Sequence, residues 1–368
     1  AITIARSDIT VKTALTESRF ISGNKTLFEK FISRFHYAVS LRNSGSYITA
    51  KIKERAEECE KHGTTVYLLE PHVKLSQGGL RDIHLLKWIA QSQHQTSSLE
   101  RLKDLGILSK ADCQSLVDAQ EFLWQIRNDL HFSANQCQDI LTFDDQIRLA
   151  ELYEFKDKPH LLAVEQFMTQ YYEKTTQIRD ITVPIIEQMR PKSVFFYIKR
   201  ILKRRVFEGE FLMIGEEISI LPNKRESIAV HLPSLLKLFH LAQIHKLKLS
   251  PEAASAAREA ATAANEISAS VGRAGEAVIS QETGTAFLAI LGVVGEVGWV
   301  LRELHRLRLL EKIIPVFAKV RALMQFNAYH KYTVDEHSFR AVEEAENLYH
   351  SNAREGQVYR EIHQKEIL

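Results

Sequence analysis

Residues 122–131 read FLWQIRNDLH, and the fold is decided here. Phe122, Leu123, Ile126 and Leu130 recur at helical spacing, which lines one face of an α-helix and sends these side chains to a core. Trp124 joins that core in part. Arg127 and His131 stand four residues apart on a neighbouring face, where a structural pair is the ordinary reading. The same periodicity extends outward from Leu80 to Arg190, with short connections at Gly106, Ser109, Ser133 and Pro159. Ser109 with Asp112 reads as an N-cap pair, because the hydroxyl can accept an otherwise unpaired first-turn amide.

Upstream, residues 7–40 and 44–62 read as helices around a turn at Asn43, Ser44 and Gly45. Thr64 to Leu69 form a β-branched and aromatic run that predicts a strand, closed by Pro71. Gly78 and Gly79 then turn the chain into a helix from Leu80. Downstream, residues 206–221 (VFEGEFLMIGEEISIL) alternate around a central glycine and predict a small β-hairpin. Residues 232–247, 284–312, 314–327 and 333–368 read as helical. Residues 251–280 are rich in Ala, Glu and Ser. Propensity favours a helix there, but few large apolar side chains are present, so a peripheral or mobile element is expected. The fold class is mostly α with minor β, without an internal repeat.

The chain has 368 residues, room for roughly two or three compact domains. Its hydrophobic share of 45% and charged share of 26% are those of an ordinary soluble protein. A net charge of +2 provides no global field for nucleic acid or an acidic membrane surface. The five cations Lys199, Arg200, Lys203, Arg204 and Arg205 read as a solvated face. Cys59, Cys113 and Cys137 show no CxxC spacing, which implies free thiols in a reducing cytoplasm rather than a zinc site. The sequence shows neither an uncharged apolar run of about 18 residues nor a secretory signal pattern. The first residues read as a helix in progress, and the charged last segment carries no stop signal. An internal piece of a longer protein is therefore expected.

Two segments could carry chemistry. In the first, Leu69 to Asp82 (LEPHVKLSQGGLRD), adjacent glycines precede a helix start, and Lys74 and Arg81 add positive charge. Such a turn suits a phosphate-bearing ligand. The plainer alternative is a tight turn with Arg81 and Asp82 paired, and the spacing fits neither the P-loop nor the dinucleotide fingerprint. In the second, Tyr329 to Ser338 (YHKYTVDEHS), Thr333 can cap a helix with Glu336 in the capping-box position. His337 on that first turn could be a metal ligand, although a lone histidine is more often structural or solvated.

The segments 69–83, 122–131, 141–150 (LTFDDQIRLA), 165–172 (EQFMTQYY) and 301–343, with 7–24 before them, together resemble the PII uridylyltransferase family. The resemblance implies two chemistries. A polymerase-β-like nucleotidyltransferase domain would move UMP from UTP to a tyrosine of the PII signal-transduction protein, using Mg²⁺, with Mn²⁺ able to substitute. An HD phosphohydrolase domain would remove the uridylyl group, and ACT domains would sense glutamine. Lys74, Gly78, Gly79, Arg81 and Asp82 match the family's signature and are expected to line or support the nucleotide site. Leu75, Ser76 and Gln77 depart from its Gly-containing stretch. His337 matches the first HD metal ligand. The transferase's Gly-Ser and paired-Asp motif is expected before residue 1, and the remaining HD ligands and the ACT domains beyond residue 368. The implied layout is the end of a nucleotidyltransferase domain at 1–78, an associated helical domain at 79–190, a central helical region with the hairpin at 191–312, and the start of an HD domain at 313–368. The alternatives are a related nucleotidyltransferase with another protein substrate, or a non-catalytic helical docking module. Glutamine-synthetase adenylyltransferases lack an HD domain, so residues 329–343 argue against them. Neither nucleic acid nor membrane is an expected partner.

Overall fold

The computed structural model describes residues 2–37, 44–159, 161–191, 204–270, 279–293, 295–325 and 331–366. They fall into two compact units, one of residues 1–191 with 324–332, the other of 192–323 with 333–368. The expected boundaries at 78/79 and 312/313 fall inside these units.

The first unit is helical. Its helices are α1 (Ile9–Thr16), α2 (Lys25–Phe35), α3 (Ser44–His62), α4 (Leu80–His94), α5 (Leu99–Asp104), α6 (Lys110–Ala134), α7 (Phe143–Leu152) and α8 (Ala163–Met189). The spine is α8, against which α4, α6 and α7 pack. Phe167, Met168, Tyr171, Tyr172, Thr175, Ile178 and Thr182 form its buried stripe, three to four residues apart. The face read from 122–131 is in place: Leu123, Ile126 and Leu130 are fully buried. Trp124, expected partly inside, is 44% exposed. The Ser109 cap forms as expected, accepting from the Asp112 amide at 3.0 Å and donating to its carboxylate at 2.7 Å.

Two expectations fail in this unit. The helix read over 7–40 is two helices, because Asn24 accepts the Leu27 amide and starts a new one. Residues 38–40 of that reading, and Asn43 of the turn, lie outside the described residues. The strand read over 64–69 is an irregular segment with one bridge, Leu68 to Tyr332. Side chains satisfy its backbone in place of a ladder. The Leu68 carbonyl accepts from the Tyr172 hydroxyl at 2.9 Å, and the Leu69 carbonyl from Gln146 Nε2 at 2.6 Å. Val66, Tyr67 and Leu69 are buried, so the apolar run reports burial rather than pairing.

The second unit is built on a sheet of β1 (Arg204–Phe207), β2 (Phe211–Ile214), β3 (Glu217–Ile220) and β4 (Lys248–Leu249). The first three strands form an antiparallel meander, and β4 joins β3 in parallel. The stretch 206–221, predicted as one hairpin, thus runs through three strands, of which β2–β3 turns at Gly215 with φ +68°. Its helices are α9 (Arg225–Ala229), α10 (Leu232–Ile244), α11 (Pro251–Ser270), α12 (Gln281–Leu291), α13 (Val297–Arg306), α14 (Leu310–Ile313), α15 (Phe317–Val320), α16 (Val334–His350) and α17 (Arg354–Glu366). The helix read over 284–312 is broken into α12, α13 and α14. Of that read over 314–327, only α15 is helical among the described residues, and 326–327 lie outside them.

The alanine-rich helix α11 is not peripheral. Ala253, Ala254, Ala256, Ala257 and Ala261 are buried, and all but Ala254 belong to one core with Phe211, Ile218, Leu235 and Phe239. Their small side chains let the helix approach β3, β4 and α9 closely. Residues 271–278 lie outside the described residues, as do Lys199, Arg200 and Lys203. Among the described residues no single helix is long and apolar enough to cross a membrane. The leucines of α10 face the core instead.

Candidate functional site

The loop from Glu70 to Asp82 is closed upon itself. Its entry is anchored outward: Val73 donates to the Asp139 carbonyl at 2.8 Å, and the Pro71 carbonyl accepts from Leu141 at 2.9 Å. Ser76 Oγ donates to the His62 carbonyl at 2.7 Å and accepts the His72 amide at 2.9 Å. The amides that open α4 are all taken. Leu80 donates to the Val73 carbonyl, Arg81 to that of Lys74 and Asp82 to that of Gly79. The Gly78 amide donates to Asp82 Oδ2 at 2.6 Å. This helix start therefore offers no free first-turn donors of the kind that bind anions.

The two glycines are required by close approach. A Cβ at Gly78, where φ is +77°, would lie 2.3 Å from the Thr175 carbonyl oxygen. One at Gly79 would lie 2.7 Å from the Val73 carbonyl oxygen. The centre of the loop is Arg55 of α3, which sequence reasoning missed. Its Nε donates to Asp82 Oδ1 at 2.6 Å, and its Nη1 and Nη2 donate to the carbonyls of Leu75 and Ser76 at 2.7 and 2.9 Å. Both charged groups are buried, so their pairing and full hydrogen bonding are what make the burial tolerable. Nothing in the charged stretch KIKERAEECEK distinguishes Arg55 from the other charged residues around it. Asp82, which the plainer alternative paired with Arg81, pairs with Arg55 instead.

Gly78, Gly79 and Asp82 are therefore the frame of the loop, while Lys74 and Arg81 are half-buried at its edge. The Arg81 guanidinium lies 5.2 Å from the Trp88 ring centre, with its Nε 3.5 Å from Glu58. One turn along α4 stands His84, also missed. Burial, then the cations Arg81, Lys87, Lys74 and Arg127, lower its pKa from the usual 6.5 to about 4. On α6, Arg127 Nε donates to Asp139 at 2.7 Å and His131 Nε2 lies 2.9 Å from the same oxygen. Burial disfavours the Asp139 carboxylate, but these two contacts outweigh it and hold its pKa below the usual range.

In the second unit His337 is exposed on the first turn of α16, its amide donating to the Thr333 carbonyl at 2.8 Å. The capping box expected around it does not form. Thr333 Oγ1 donates to the buried Asp335 carboxylate at 2.5 Å, and Glu336 turns to Arg302 and Arg340. Asp335 also accepts from the Ala322 amide at 2.8 Å and faces His305 Nε2 at 3.0 Å. These bonds outweigh the cost of burial and keep its pKa below the ordinary carboxylate range. Tyr329 and His330 lie outside the described residues. Among the described residues, no three His, Cys, Asp or Glu side chains come together so as to hold a metal ion.

No solved structure matches the chain. Residues 46–186 match the model of the GlnD PII-uridylyltransferase family. The match contains Arg55, the closed loop and the cationic face of α4 and α6; the segments 7–24 and 301–343 lie outside it. Over residues 46–186, a stretch that lies wholly within the first unit, the chain is thus similar to the PII-uridylyltransferase family.

Proposed function

We propose that this protein works in the transfer of UMP from UTP to the PII protein. The carrying observation is the family match over residues 46–186, which encloses the loop that Arg55 and Asp82 lock. In such a transfer an acceptor oxygen of PII, on a tyrosine, bonds to the α-phosphorus of UTP. The bond from that phosphorus to the bridging oxygen breaks, and pyrophosphate leaves with the electron pair. Lys74 and Arg81 supply positive charge beside the phosphates. Gly78, Gly79 and Asp82 act indirectly, by holding the loop on which Lys74 sits and from which Arg81 follows.

Mg²⁺, with Mn²⁺ able to substitute, would neutralise the triphosphate when bound. The described residues do not fit it, so no step here runs through the metal. The reading extends to removal of the uridylyl group at a hydrolase centre whose first ligand is His337, and to glutamine as effector. Support for that part is the likeness of residues 301–343 to the join into an HD domain. A cytoplasmic setting is supported by three cysteines that form no disulfide.

Labelled UTP, Mg²⁺ and purified PII, assayed with the full-length protein that contains these residues, test the transfer. Label should appear on PII from UTP in preference to ATP; absence of labelled PII would sink the reading. Lys74→Gln should raise KM for UTP about tenfold, the scale of one charge-assisted hydrogen bond.

A further inference from the structure

Three elements bring positive charge to one place in the first unit. Along α4, Arg81, His84 and Lys87 recur every three residues and share a face. On α6, Gln120 and Arg127 stand two turns apart, and Lys87 Nζ donates to Gln120 Oε1 at 3.0 Å. The loop closes the third side: Asp139, which pairs with Arg127, takes the amide of Val73 on its carbonyl, next to Lys74.

The charges in this place do not balance. Arg127 is paired with Asp139, and Arg81 faces Glu58. Lys74 and Lys87 make no ion pair with the described residues. Lys87 is half-buried, and its only side-chain hydrogen-bond acceptor among the described residues is a neutral amide. Burial lowers its pKa from the usual lysine value, with the exposed Glu100 a smaller opposing influence. A half-buried ammonium without a carboxylate is costly, and a bound anion would relieve that cost. The neighbouring His84 imidazole, held neutral among four cations, reports the same excess of positive charge.

We propose that His84, Lys87 and Arg127, together with Lys74 and Arg81, form an oligophosphate site on the face of α4 and α6. The anion is held by side chains one and two turns along the helix, and not by its start, whose amides are already used. This rests on the reading of Lys74 and Arg81 as nucleotide contacts and deepens it by adding three residues. The shared ligand chemistry is a chain of phosphates, whether free or on a nucleoside.

Calorimetric titration of the 368-residue chain with inorganic triphosphate, UTP and uridine at low salt tests this. Triphosphate and UTP should bind and uridine should not. Lys87→Gln should weaken triphosphate about tenfold, as for one lost charge-assisted contact. Lys53→Gln, at an exposed site on α3, should change nothing. Saturating triphosphate should also raise the NMR titration midpoint of His84 above about 4. Arg127→Gln leaves Asp139 half-paired, so the melting temperature is measured for every variant and Lys87→Gln is the deciding substitution. Absence of triphosphate binding, equal affinity in Lys87→Gln, or an unmoved His84 would each overturn the site. If Lys74→Gln and Arg81→Gln lose UTP affinity while Lys87→Gln keeps it, this inference fails alone. If the reverse holds, the reading of Lys74 and Arg81 as nucleotide contacts fails, and with it the five-residue site, which is then reduced to His84, Lys87 and Arg127.

Discussion

Gly78 and Gly106 have nearly the same backbone, with φ of +77° and +72°. Their surroundings differ. A Cβ at Gly78 would strike the Thr175 carbonyl, whereas one at Gly106 meets nothing within 4 Å. Gly106→Ala should cost about 1 kcal/mol, the left-handed penalty alone. Gly78→Ala should cost about 3 kcal/mol or more, because a backbone oxygen cannot swing aside. Urea unfolding of both variants measures the difference, and equal losses would contradict the packing argument. His84 gives a pH dependence of definite sign. Its folded pKa is about 4 and its ordinary value 6.5. Between these values the unfolded chain binds a proton that the folded chain refuses, so stability falls as pH drops through that window. Above it the contribution is constant. His84→Gln should flatten urea midpoints measured between pH 7 and pH 4.5; an unchanged slope would count against the buried, cation-ringed imidazole.

At the scale of elements, what was legible followed from local chemistry. The helical face of 122–131, the Ser109 cap and the β2–β3 turn each need only neighbours in sequence. What was illegible depended on distant partners. The run at 64–69 has strand composition, but its carbonyls are taken by Tyr172 and Gln146, roughly 80 to 100 residues away. The same holds for the candidate site. The signature glycines were visible, but Arg55, which locks them, and His84, which marks the charge, sit in ordinary helical sequence. The alanines of α11 looked too small to matter, and their smallness is what lets the helix seat closely. Ala257→Leu should therefore overpack the core and cost about 1–3 kcal/mol, read from a denaturant curve. Ala254→Ser, at the edge of that face, is a milder control.

At the scale of the whole molecule, the described residues fall into two compact units. Gly78 and Ala257 belong to different units. Calorimetry should give a total enthalpy larger than the van't Hoff value, as for two cooperative transitions. Gly78→Ala should lower one midpoint and Ala257→Leu the other; a single transition moved equally by both would refute independent units.

The first unit also includes residues from far along the chain. The Leu69 amide donates to the Lys331 carbonyl at 3.1 Å, and Leu68 bridges Tyr332. On the ribosome, α8 is complete long before those partners exist. At typical elongation rates, the residues between α8 and Lys331 take roughly 7 to 30 seconds to synthesise. During that interval the segment before the closed loop lacks its backbone partners, while the intervening residues emerge and begin to fold. The last hydrogen bonds of the earlier unit are thus among the later ones that synthesis permits, and a nascent chain released before Lys331 would carry the closed loop with its neighbouring segment unsealed.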